Sequence, residues 1–466
     1  MNPIRCGCVA VWLVIAVLIC GSACAFAQPS MQTLFTNGPT SNRLNIVVLS
    51  EGYTSSQLGQ FVLDAGNTVS VLLSHPPYQE YSNYCNAYAI KVASNESGSD
   101  HPSWPQSRDT YFNSTFDPYQ DLYITIPADS TGQGRVDALL QQFMPKYHLA
   151  ILLVNDSTAG GSDGSDKTAI ASTGAVLAEM LAGQPRILSH ETGHVLANLG
   201  DEYTDTYPFP DTEEPNTTRE TNRVAIKWRA WISASTPVPT PVDFGEGIVG
   251  LFEGAHYHTT GWYRPELNCA MGSPGLPFCH VCSEALVLAI YQRVRPVDGF
   301  SPTNKNLTIT NSQAVTFGLT LLQPVPNYLG VQWYTNGLAL SGATNATFTL
   351  SPLSLGNGNQ LVSAVVKDHT PRVLNDPTNL LSQTNSWSLS VSIPQLRLDS
   401  SRWLTGGKFA FRISGYAPHG VIVQSATNLS NWGPVATNPL VNGQLWYTNS
   451  SASGSLRRFY RAGTSP

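Results

Sequence analysis

The sequence predicts an α/β domain followed by two all-β modules. Up to about residue 295, compact apolar runs of strand length alternate with amphipathic stretches of helical period, an order typical of a sheet with helices packed on it. Beyond Pro296 the helical period disappears, and short alternating runs are separated by Asn, Gly, Ser and Pro. The chain has 466 residues, too many for one hydrophobic core, so we expect roughly two to four domains.

Three apolar runs are the predicted strands of the α/β domain: Leu44–Leu49, Tyr88–Val92 and Leu149–Val154. The turn Glu51-Gly52-Tyr53 follows the first run. An amphipathic stretch from Ser55 to about Leu73 is the predicted first helix, because apolar residues recur along it with helical spacing. Its apolar residues are Phe61, Val62, Val69, Val71 and Leu72.

The part of the chain beyond Pro296 predicts β-structure only. Gly330–Tyr334 is a predicted strand that enters a tight hairpin turn at Asn336-Gly337. With Thr347–Leu350 and Val362–Val366 it indicates an immunoglobulin-like sandwich without the cysteine pair of antibody domains. From about residue 395 a last module resembles the short C-terminal β-modules of many secreted bacterial proteins. Its predicted strands are Phe409–Ile413, Val421–Gln424 and Arg457–Arg461. We expect the two modules to space or tether the preceding domain.

The N-terminus predicts export. Arg5 precedes an apolar run of 12 residues from Val9 to Cys20, and Ala25-Phe26-Ala27 supplies the small residues that signal peptidase recognises. A membrane span needs about 20 apolar residues, so this run is too short to be an anchor. We therefore expect a signal peptide over residues 1–27, no transmembrane span in the mature chain, and a secreted protein that is extracellular or periplasmic.

Composition excludes one class of partner. Only 12% of the residues are charged and the net charge is −6, with no basic stripe, so we expect no nucleic acid partner. Asn, Thr, Ser and Gly are plentiful whereas Lys and Glu are sparse, which is typical of a β-rich extracellular protein.

Four cysteines remain after the predicted cleavage: Cys85, Cys269, Cys279 and Cys282. An even number in an oxidising compartment predicts disulfides, although four cysteines allow three pairings and the sequence does not select one. The Cys279-His280-Val281-Cys282 spacing also occurs in zinc ribbons. A zinc ribbon also needs a second cysteine pair, which the sequence lacks, so disulfides are favoured over a structural zinc here.

The pentapeptide His190-Glu191-Thr192-Gly193-His194 predicts a metal site. On a helix, His190 and His194 lie one above the other and can bind a single ion, while Glu191 lies beside them to polarise a bound water. The competing hypothesis of two unrelated histidines is disfavoured, because His and Glu are rare in this chain. The opposite side of the helix would anchor it in a core. That side consists of Leu188, Thr192, Val195 and Leu199.

A zinc site of this kind needs a third protein ligand and leaves a fourth position for water. Asp201 is the first candidate. In an unbroken helix it would lie about 10 Å along the axis from His194, so we expect Gly200 to take the left-handed conformation, end the helix and let Asp201 turn back to the metal. A second hypothesis is that Asp201 orients a ligand without touching the ion. The rival ligands are Glu202, His256 and His258.

With the residues that follow it, the pentapeptide resembles a known signature. His190 to Tyr203 is similar to the H-E-x-G-H-x-x-x-x-L-x-D-E-Y pattern of the IgA-peptidase family of zinc metalloendopeptidases. The resemblance spans roughly residues 42 to 295, because further blocks agree in order and spacing. These blocks are Glu51–Thr54, Ser94–Pro102, Phe252–Ala255, Gly261–Pro265, Cys269–Met271 and Phe278–Cys282.

The resemblance implies a zincin-like catalytic domain over residues 28–297. The immunoglobulin-like sandwich then spans 298–393 and the C-terminal β-module 394–466. The resemblance also implies that His190 and His194 bind the metal, that Glu191 is the general base, and that Met271 lies in a turn beneath the metal. The metzincin pattern H-E-x-x-H-x-x-G-x-x-H is not matched, since Ala197 and Gly200 replace its glycine and third histidine. The identity of the third ligand therefore stays open.

Tyr257 is the predicted donor of a hydrogen bond to the oxyanion of the reaction, with Tyr203 and Tyr263 as alternatives. A tyrosine is more often a packing residue, which is the competing interpretation for all three.

The stretch Gly160–Gly164 lacks the Lys-Ser/Thr ending of a phosphate loop, so we expect no nucleotide there. It is predicted to be a rim of the cleft or a simple turn. Asp163 and Asp166 are calcium candidates, but the sequence offers no full ligand set.

Taken together, these features predict a secreted zinc-dependent metalloendopeptidase acting on a protein or peptide substrate. Zn²⁺ would be held by His190, His194 and Asp201, with Glu191 and Tyr257 as catalytic residues. One alternative is a non-catalytic protein whose β-modules contact a surface or glycans. The other is a zinc amidase acting on cell-wall peptides. No feature of the sequence selects the natural substrate.

Overall fold

The computed structural model describes residues 28–104, 107–165, 168–206, 210–311, 313–450 and 457–465. The predicted signal peptide, residues 1–27, lies outside the described residues, and so does Asp166. The described chain divides into two compact units. The first unit comprises residues 28–35, 46–71 and 87–195, and the second comprises 36–45, 72–86 and the described residues from 196 onward.

The first unit is built on a six-stranded sheet. Its strands are β1 Ser30–Phe35, β2 Leu44–Glu51, β3 Cys85–Lys91, β6 Leu149–Val154, β7 Gly161–Ser165 and β8 Thr168–Ser172, and the short strands β4 Thr115–Phe116 and β5 Ile124–Thr125 form a separate pair. The order across the sheet is β1-β3-β2-β6-β8-β7. Strands β2, β6 and β8 are mutually parallel, whereas β7 runs antiparallel to β8 at the edge.

The described part of the chain contains five α-helices: α1 Leu58–Leu72, α2 Gln133–Phe143, α3 Thr173–Ala182, α4 Ile187–Ala197 and, in the second unit, α5 His280–Tyr291. Helix α1 begins three residues later than predicted. A 3-10 turn at Ser55–Gln57 precedes it, and Thr54 and Gln57 cap that turn reciprocally. The three predicted strands are confirmed as β2, β3 and β6, and β6 has the predicted bounds.

Both faces of the central strands are buried, which explains why the sequence shows continuous apolar runs there. Val47 and Leu49 of β2 and Leu152 of β6 pack against Leu139 and Leu140 of α2 in one core. The residues between them along each strand are also fully buried: Ile46, Val48, Ile151 and Leu153. Parallel strands covered on both faces give such runs instead of an alternating pattern.

The second unit contains the hairpin of β9 Phe252–Ala255 and β10 His258–Arg264, followed by a two-sheet sandwich. The strands of the sandwich are β11 Val297–Ser301, β12 Asn306–Ile309, β13 Val315–Leu321, β14 Leu329–Thr335, β15 Leu338–Ala339, β16 Thr347–Leu350, β17 Gly358–Asp368 and β18 Ser382–Val391. They form the sheets β11-β13-β16 and β12-β18-β17-β14-β15. Phe317, Trp333 and Trp387 are fully buried in the core of the sandwich. The predicted turn is confirmed, because Asn336 and Gly337 have φ of 50° and 80°, as a two-residue hairpin requires.

The last module also consists of two small sheets. Its strands are β19 Arg397–Leu404, β20 Lys408–Ser414, β21 Val421–Ala426, β22 Gly433–Asn438, β23 Gln444–Asn449 and β24 Phe459–Thr464. They pair in the orders β19-β20-β23 and β22-β21-β24 and share a core of Phe411, Ile413, Val421 and Val423. Mixed helix and sheet followed by all-β sheets agrees with the predicted fold class. The zincin-like and immunoglobulin-like assignments, and the domain boundaries at 297 and 393, stay predictions.

Among the described residues, none of the helices has the length and apolar character that crossing a membrane requires.

A buried aspartate joins the sandwich to the segments that precede it within the second unit. Asp368, at the end of β17, accepts hydrogen bonds through Oδ2 from the hydroxyls of Tyr81 (2.9 Å) and Tyr291 (2.7 Å). Burial and the adjacent carboxylate raise the pKa of Tyr81, so its hydroxyl stays protonated and donates. Tyr84 donates to the carbonyl of Leu322 at 2.7 Å. Buried hydrogen bonds therefore connect helix α5 and the segment at Tyr78–Tyr84 to the sandwich.

We expect Asp368→Ala to destabilise the protein by about 2–4 kcal/mol, because it leaves buried tyrosine hydroxyls without their acceptor. The free energy of unfolding is measured by urea denaturation followed by tryptophan fluorescence. The exposed Asp243→Ala variant is the matched control and should change stability by less than about 0.5 kcal/mol. Equal stability of the two variants would contradict the assignment.

Candidate metal centre

Helix α4, which carries the predicted metal ligands, is held at its first turn by a buried carboxylate. The backbone N–H of Ser189 donates to Glu179 Oε2 at 3.1 Å, and the Ser189 hydroxyl donates to Oε1 of the same group. Glu179 lies on α3 and is fully buried. A carboxylate here satisfies free N–H groups and lies at the positive end of the helix dipole. The residue next to His190 is thus fixed.

His190 and His194 converge as the sequence predicts. Their Nε2 atoms lie 3.0 Å apart, and their rings are 4.7 Å apart between centroids and nearly perpendicular. Ligand atoms of His190, Glu191 and His194 all lie within 4.8 Å of one another. Two nitrogens at this separation can both reach one zinc ion at Zn–N distances of about 2.0–2.1 Å. The residues present therefore fit the implied metal.

The side of α4 opposite the histidines is buried as predicted. Leu188 and Thr192 are fully buried, and the Thr192 hydroxyl donates to the carbonyl of Ser189 at 3.0 Å. Leu199, beyond the end of the helix, is also buried, whereas Val195 is half-buried. The helix is amphipathic in the sense that the spacing predicts.

The Gly160–Gly164 stretch is not a simple turn, whereas its place at the rim of a cleft stays a prediction. Residues Gly161–Ser165 form the edge strand β7. A Cβ at Gly161 would lie 2.5 Å from Ile187 Cγ2 and 3.3 Å from Glu191 Cγ. Glycine is needed here because α4 approaches the strand closely, on the side of the helix that carries Glu191.

The end of α4 also differs from the prediction. The helix ends at Ala197, and Asn198, not Gly200, takes the left-handed conformation, with φ of 51°. Asn is the usual second choice after Gly at this position, a signal that was present in the sequence. Gly200 is required for space instead, because a Cβ there would lie 2.5 Å from Glu214 Oε2. Its N–H and C=O pair with the amide of Asn216 at 2.7 and 2.8 Å.

Asp201 lies in the second unit, where the β9–β10 hairpin packs along it. The hydroxyl of Tyr257 donates to Asp201 Oδ2 at 2.5 Å, and the N–H groups of His256 and Tyr257 donate to the carbonyls of Asp201 and Tyr203. His256 and Tyr257 have φ of 53° and 60°. Non-glycine residues in this conformation cost about 1–3 kcal/mol each, so the hairpin is held in place by its side-chain contacts.

The rival third ligands have other partners in the structure. His256 is buried and stacks on Trp262, with Nε2 2.8 Å from the carbonyl of Pro210 and Nδ1 3.2 Å from Glu214. His258 Nδ1 lies 2.6 Å from the carbonyl of His256. Glu202 is buried beside three cysteines, and burial raises its pKa well above the usual range.

Comparison with known proteins assigns the chain to a family. Its sequence matches the family described as IgA Peptidase M64 over residues 33–247 and 243–290, which is more than half of the 466 residues. The chain belongs to the IgA Peptidase M64 family. M64 membership indicates a peptidase, which is a hydrolase that acts on protein substrates, and it suggests a metallopeptidase.

Two further comparisons add little to the M64 assignment. No curated protein matches the sequence. Among solved structures, 39 chains match. One comes from a structure described as "Chaperone-tip adhesin complex is vital for synergistic activation of CFA/I fimbriae biogenesis". It is 8% identical, covers 36% of this chain and 92% of its own, and has a TM-score of 0.15, so it carries no argument about fold or function.

Two of the M64-like blocks meet in the first unit. The N–H of Gly98 donates to the carbonyl of Gly52 at 3.1 Å, and the N–H of Ser94 donates to that of Tyr53 at 2.8 Å. Gly52 has φ of 68°, and a Cβ on it would clash with the carbonyl of Gly98. Gly52 is therefore explained by the close contact of two backbones, whereas Gly98 is explained by its φ of 102°.

Two later blocks meet in the second unit. The N–H of Glu202 donates to the carbonyl of the buried Met271 at 2.9 Å. Glu202 thereby ties the end of the zinc signature to the Cys269–Met271 block. The predicted place of Met271 beneath the metal stays a prediction.

The expected disulfides are not present among the described residues. Cys85, Cys269, Cys279 and Cys282 are all buried free thiols. Cys85 Sγ lies 3.7 Å from the carbonyl of Tyr81, whereas the other three cysteines lie together around Glu202. A group of three thiols cannot be satisfied by pairing, so the even count of cysteines was misleading.

We expect Gly200→Ala to destabilise the protein by about 1–3 kcal/mol, because the new methyl group displaces the Glu214 carboxylate from His256. Gly66→Ala, within helix α1 and with open space around the new Cβ, should instead stabilise by about 0.5–1 kcal/mol. Urea denaturation of both variants measures the change in the free energy of unfolding, which should have opposite signs. Stabilisation by Gly200→Ala would show that the glycine is not needed for space.

Proposed function

We propose that this chain is an exported zinc-dependent metalloendopeptidase whose metal is held by His190 and His194. The observation that carries the proposal is the 3.0 Å approach of the two Nε2 atoms, with Glu191 in the same group of ligand atoms. M64 membership supports the peptidase class. Convergent imidazoles with an adjacent carboxylate on one helix are the arrangement that metal-assisted peptide hydrolysis requires.

Three residues of the pentapeptide, His190, Glu191 and His194, have distinct parts in the proposed reaction. A bound zinc ion would polarise the scissile carbonyl and bring the ionisation of a water molecule near neutral pH. Glu191 accepts the proton of the attacking water on its carboxylate and then donates it to the nitrogen of the leaving amine. His190 and His194 hold their positions because Glu179 fixes the first turn of α4. The close approach of β7 at Gly161 sets the position of the Glu191 stem.

Asp201 is the proposed third ligand. It follows His194 by seven positions, and the helix ends at Ala197, so the connecting chain is released from helical geometry well before Asp201. A carboxylate oxygen is an acceptable zinc ligand beside two imidazoles. Glu202 and His256, which competed with Asp201 in the sequence, are engaged elsewhere. The left-handed Asn198 performs the turn first assigned to Gly200.

Tyr257 is proposed to act through Asp201. Its hydroxyl donates to Asp201 Oδ2 at 2.5 Å, which fixes the orientation of the carboxylate that we propose as a zinc ligand. Partners of this kind orient a ligand and raise its affinity for the ion. This contact favours a positioning residue over the oxyanion donor that the sequence suggested.

The proposal includes export, on the strength of the N-terminal sequence alone. The short apolar run after Arg5 and the Ala25-Phe26-Ala27 site are typical of a cleaved signal peptide. The substrate is then a protein or peptide outside the cytoplasm. A zinc amidase or a non-catalytic surface protein is less favoured, because M64 membership indicates a peptidase and Glu191 is retained.

We expect Glu191→Gln to lower the rate of peptide-bond cleavage by about 10²–10⁴-fold at unchanged zinc content, because the amide cannot accept the proton. Cleavage of a fluorescently labelled mixture of denatured proteins is measured beside metal content. Glu246→Gln, an exposed carboxylate, is the matched control and should retain the wild-type rate. Full activity of Glu191→Gln would overturn the mechanism, and a folded wild-type protein without metal at the histidines would overturn the site.

We expect Tyr257→Phe to weaken zinc binding at the histidine site by about 10-fold or more and to lower the cleavage rate with it. Zinc affinity is measured by competition with a chromophoric chelator, and Tyr119→Phe, at an exposed tyrosine, serves as the control. A fall in rate at unchanged zinc affinity would instead support hydrogen bonding to the oxyanion.

A further inference from the structure

A second group of metal-ligating side chains lies in the second unit, away in sequence from the histidine pentapeptide. Its members are Glu202, Cys269, Cys279 and Cys282, here called the cysteine cluster, and all four ligand atoms lie within 4.8 Å of one another. Every member is buried, with exposed fractions of 4% or less. Three sulfurs and one carboxylate at this spacing make up a complete set for a closed four-coordinate site.

The distances fit a metal better than a disulfide. Cys269 Sγ and Cys282 Sγ are 3.5 Å apart. A disulfide has sulfurs about 2.05 Å apart, whereas two thiolates bound to one zinc ion at about 2.3 Å lie about 3.8 Å apart in a tetrahedron. Cys282 Sγ lies 3.7 Å from Glu202 Oε1, so the Glu202 carboxylate is next to the thiols.

The backbone around the cluster favours thiolates. Cys279 is the N-cap of α5 and Cys282 lies in its first turn, so both are at the positive end of a 12-residue helix. The N–H of Cys279 donates to Cys269 Sγ, and the N–H of Cys282 donates to Cys279 Sγ, each at 3.4 Å. These hydrogen bonds stabilise negative charge on sulfur, which is the form that binds a metal.

One carboxylate oxygen of Glu202, Oε2, is available to bind a metal. Oε1 accepts from the amide of Asn216 at 2.9 Å, and the same amide is held by the backbone of Gly200. Oε2 is buried and has no hydrogen-bond partner among the described residues. A buried carboxylate oxygen left in this way costs free energy unless a cation is present. The guanidinium of Arg264, which donates to the Glu202 carbonyl at 2.6 Å, offsets part of the negative charge of the cluster.

We propose that Glu202, Cys269, Cys279 and Cys282 bind a structural zinc ion that is separate from the one at His190 and His194. Thiolates and carboxylates both bind zinc, and these four side chains fill a tetrahedral set, so no ligand position is left for water or substrate. The ion ties the segment at Gly200–Tyr203 to the loop at Cys269–Met271 and to the start of α5. In the sequence, Cys279 and Cys282 have the spacing of a zinc ribbon but lack the second cysteine pair that a zinc ribbon has. In the structure, Cys269 and Glu202 supply the two missing ligands.

The first test uses the His190→Ala/His194→Ala double variant of the full chain. We expect about two zinc ions per chain in the wild-type protein and about one in the double variant, measured by inductively coupled plasma mass spectrometry after dialysis. A folded double variant without zinc overturns the proposal, and so does iron in its place. A zinc content of about one in both proteins would count against the histidine site and leave the cysteine cluster supported.

The second test replaces the metal and the ligands. Cobalt bound by the double variant should give sulfur-to-cobalt charge-transfer absorption and the intense visible bands of a tetrahedral site. Glu202→Gln and Cys279→Ser should each reduce the zinc remaining in the double variant, whereas Cys85→Ser, which alters a buried thiol outside the cluster, should not. Zinc retained in full by Cys279→Ser overturns the proposal. If Cys279→Ser does not fold, the cobalt spectrum decides, since it requires no cysteine variant.

The third test addresses oxidation. We expect all three cysteines of the cluster to be alkylated in full when the protein is denatured with a chelator and without a reductant, as mapped by peptide mass spectrometry. A peptide pair joined by a disulfide between any two of them overturns the proposal. Cys85, a single buried thiol, reports whether alkylation has gone to completion.

Discussion

The buried carboxylate of Glu179 holds the first turn of α4, and the geometry of the histidine pair depends on that contact. Because Ser189 donates to Glu179 through both its N–H and its hydroxyl, the helix begins at a fixed place beside α3. His190 follows directly, and His194 one turn later, so the convergence of their Nε2 atoms follows from helical geometry. Glycine at position 161 lets the same helix lie against the edge strand β7. A rigid helix end therefore sets the positions of the two proposed metal ligands, as metal sites require.

One short segment of the second unit carries the residue that we propose as the third zinc ligand. Gly200, Asp201 and Glu202 are adjacent in sequence but have different partners: Asn216 pairs with Gly200, Tyr257 with Asp201, and the cysteine cluster with Glu202. His256 and Tyr257 of the β9–β10 hairpin have left-handed backbone conformations, which cost free energy. The hydrogen bond from Tyr257 to Asp201 is formed in spite of this cost. A zinc ion in the cysteine cluster would brace the same segment from Glu202. The position of Asp201 therefore depends on the contacts that Gly200 and Glu202 make as well as on its own.

Local patterns were predicted well from the sequence, and non-local contacts were not. The strand at Leu149–Val154 and the amphipathic α4 follow from periodicity within a few residues, so both were found. Gly200 was misjudged because its constraint is the approach of Glu214, which lies 14 positions later and gives no local signal. Glu179 was missed for the same reason. The cysteines were misjudged because their number suggested pairs, whereas folding brings three of them to one carboxylate.

Anomalous diffraction at the zinc absorption edge tests directly whether His190 and His194 bind one catalytic zinc ion, as we propose. Crystals of the zinc-replete protein should show a peak about 2.0–2.1 Å from both Nε2 atoms, with a carboxylate oxygen of Asp201 as the third protein ligand. A peak that contacts both histidines but not Asp201 would show that the third ligand is another group, while the binding of zinc by the histidines would stand. The absence of any peak between the two histidines in such crystals would contradict the account.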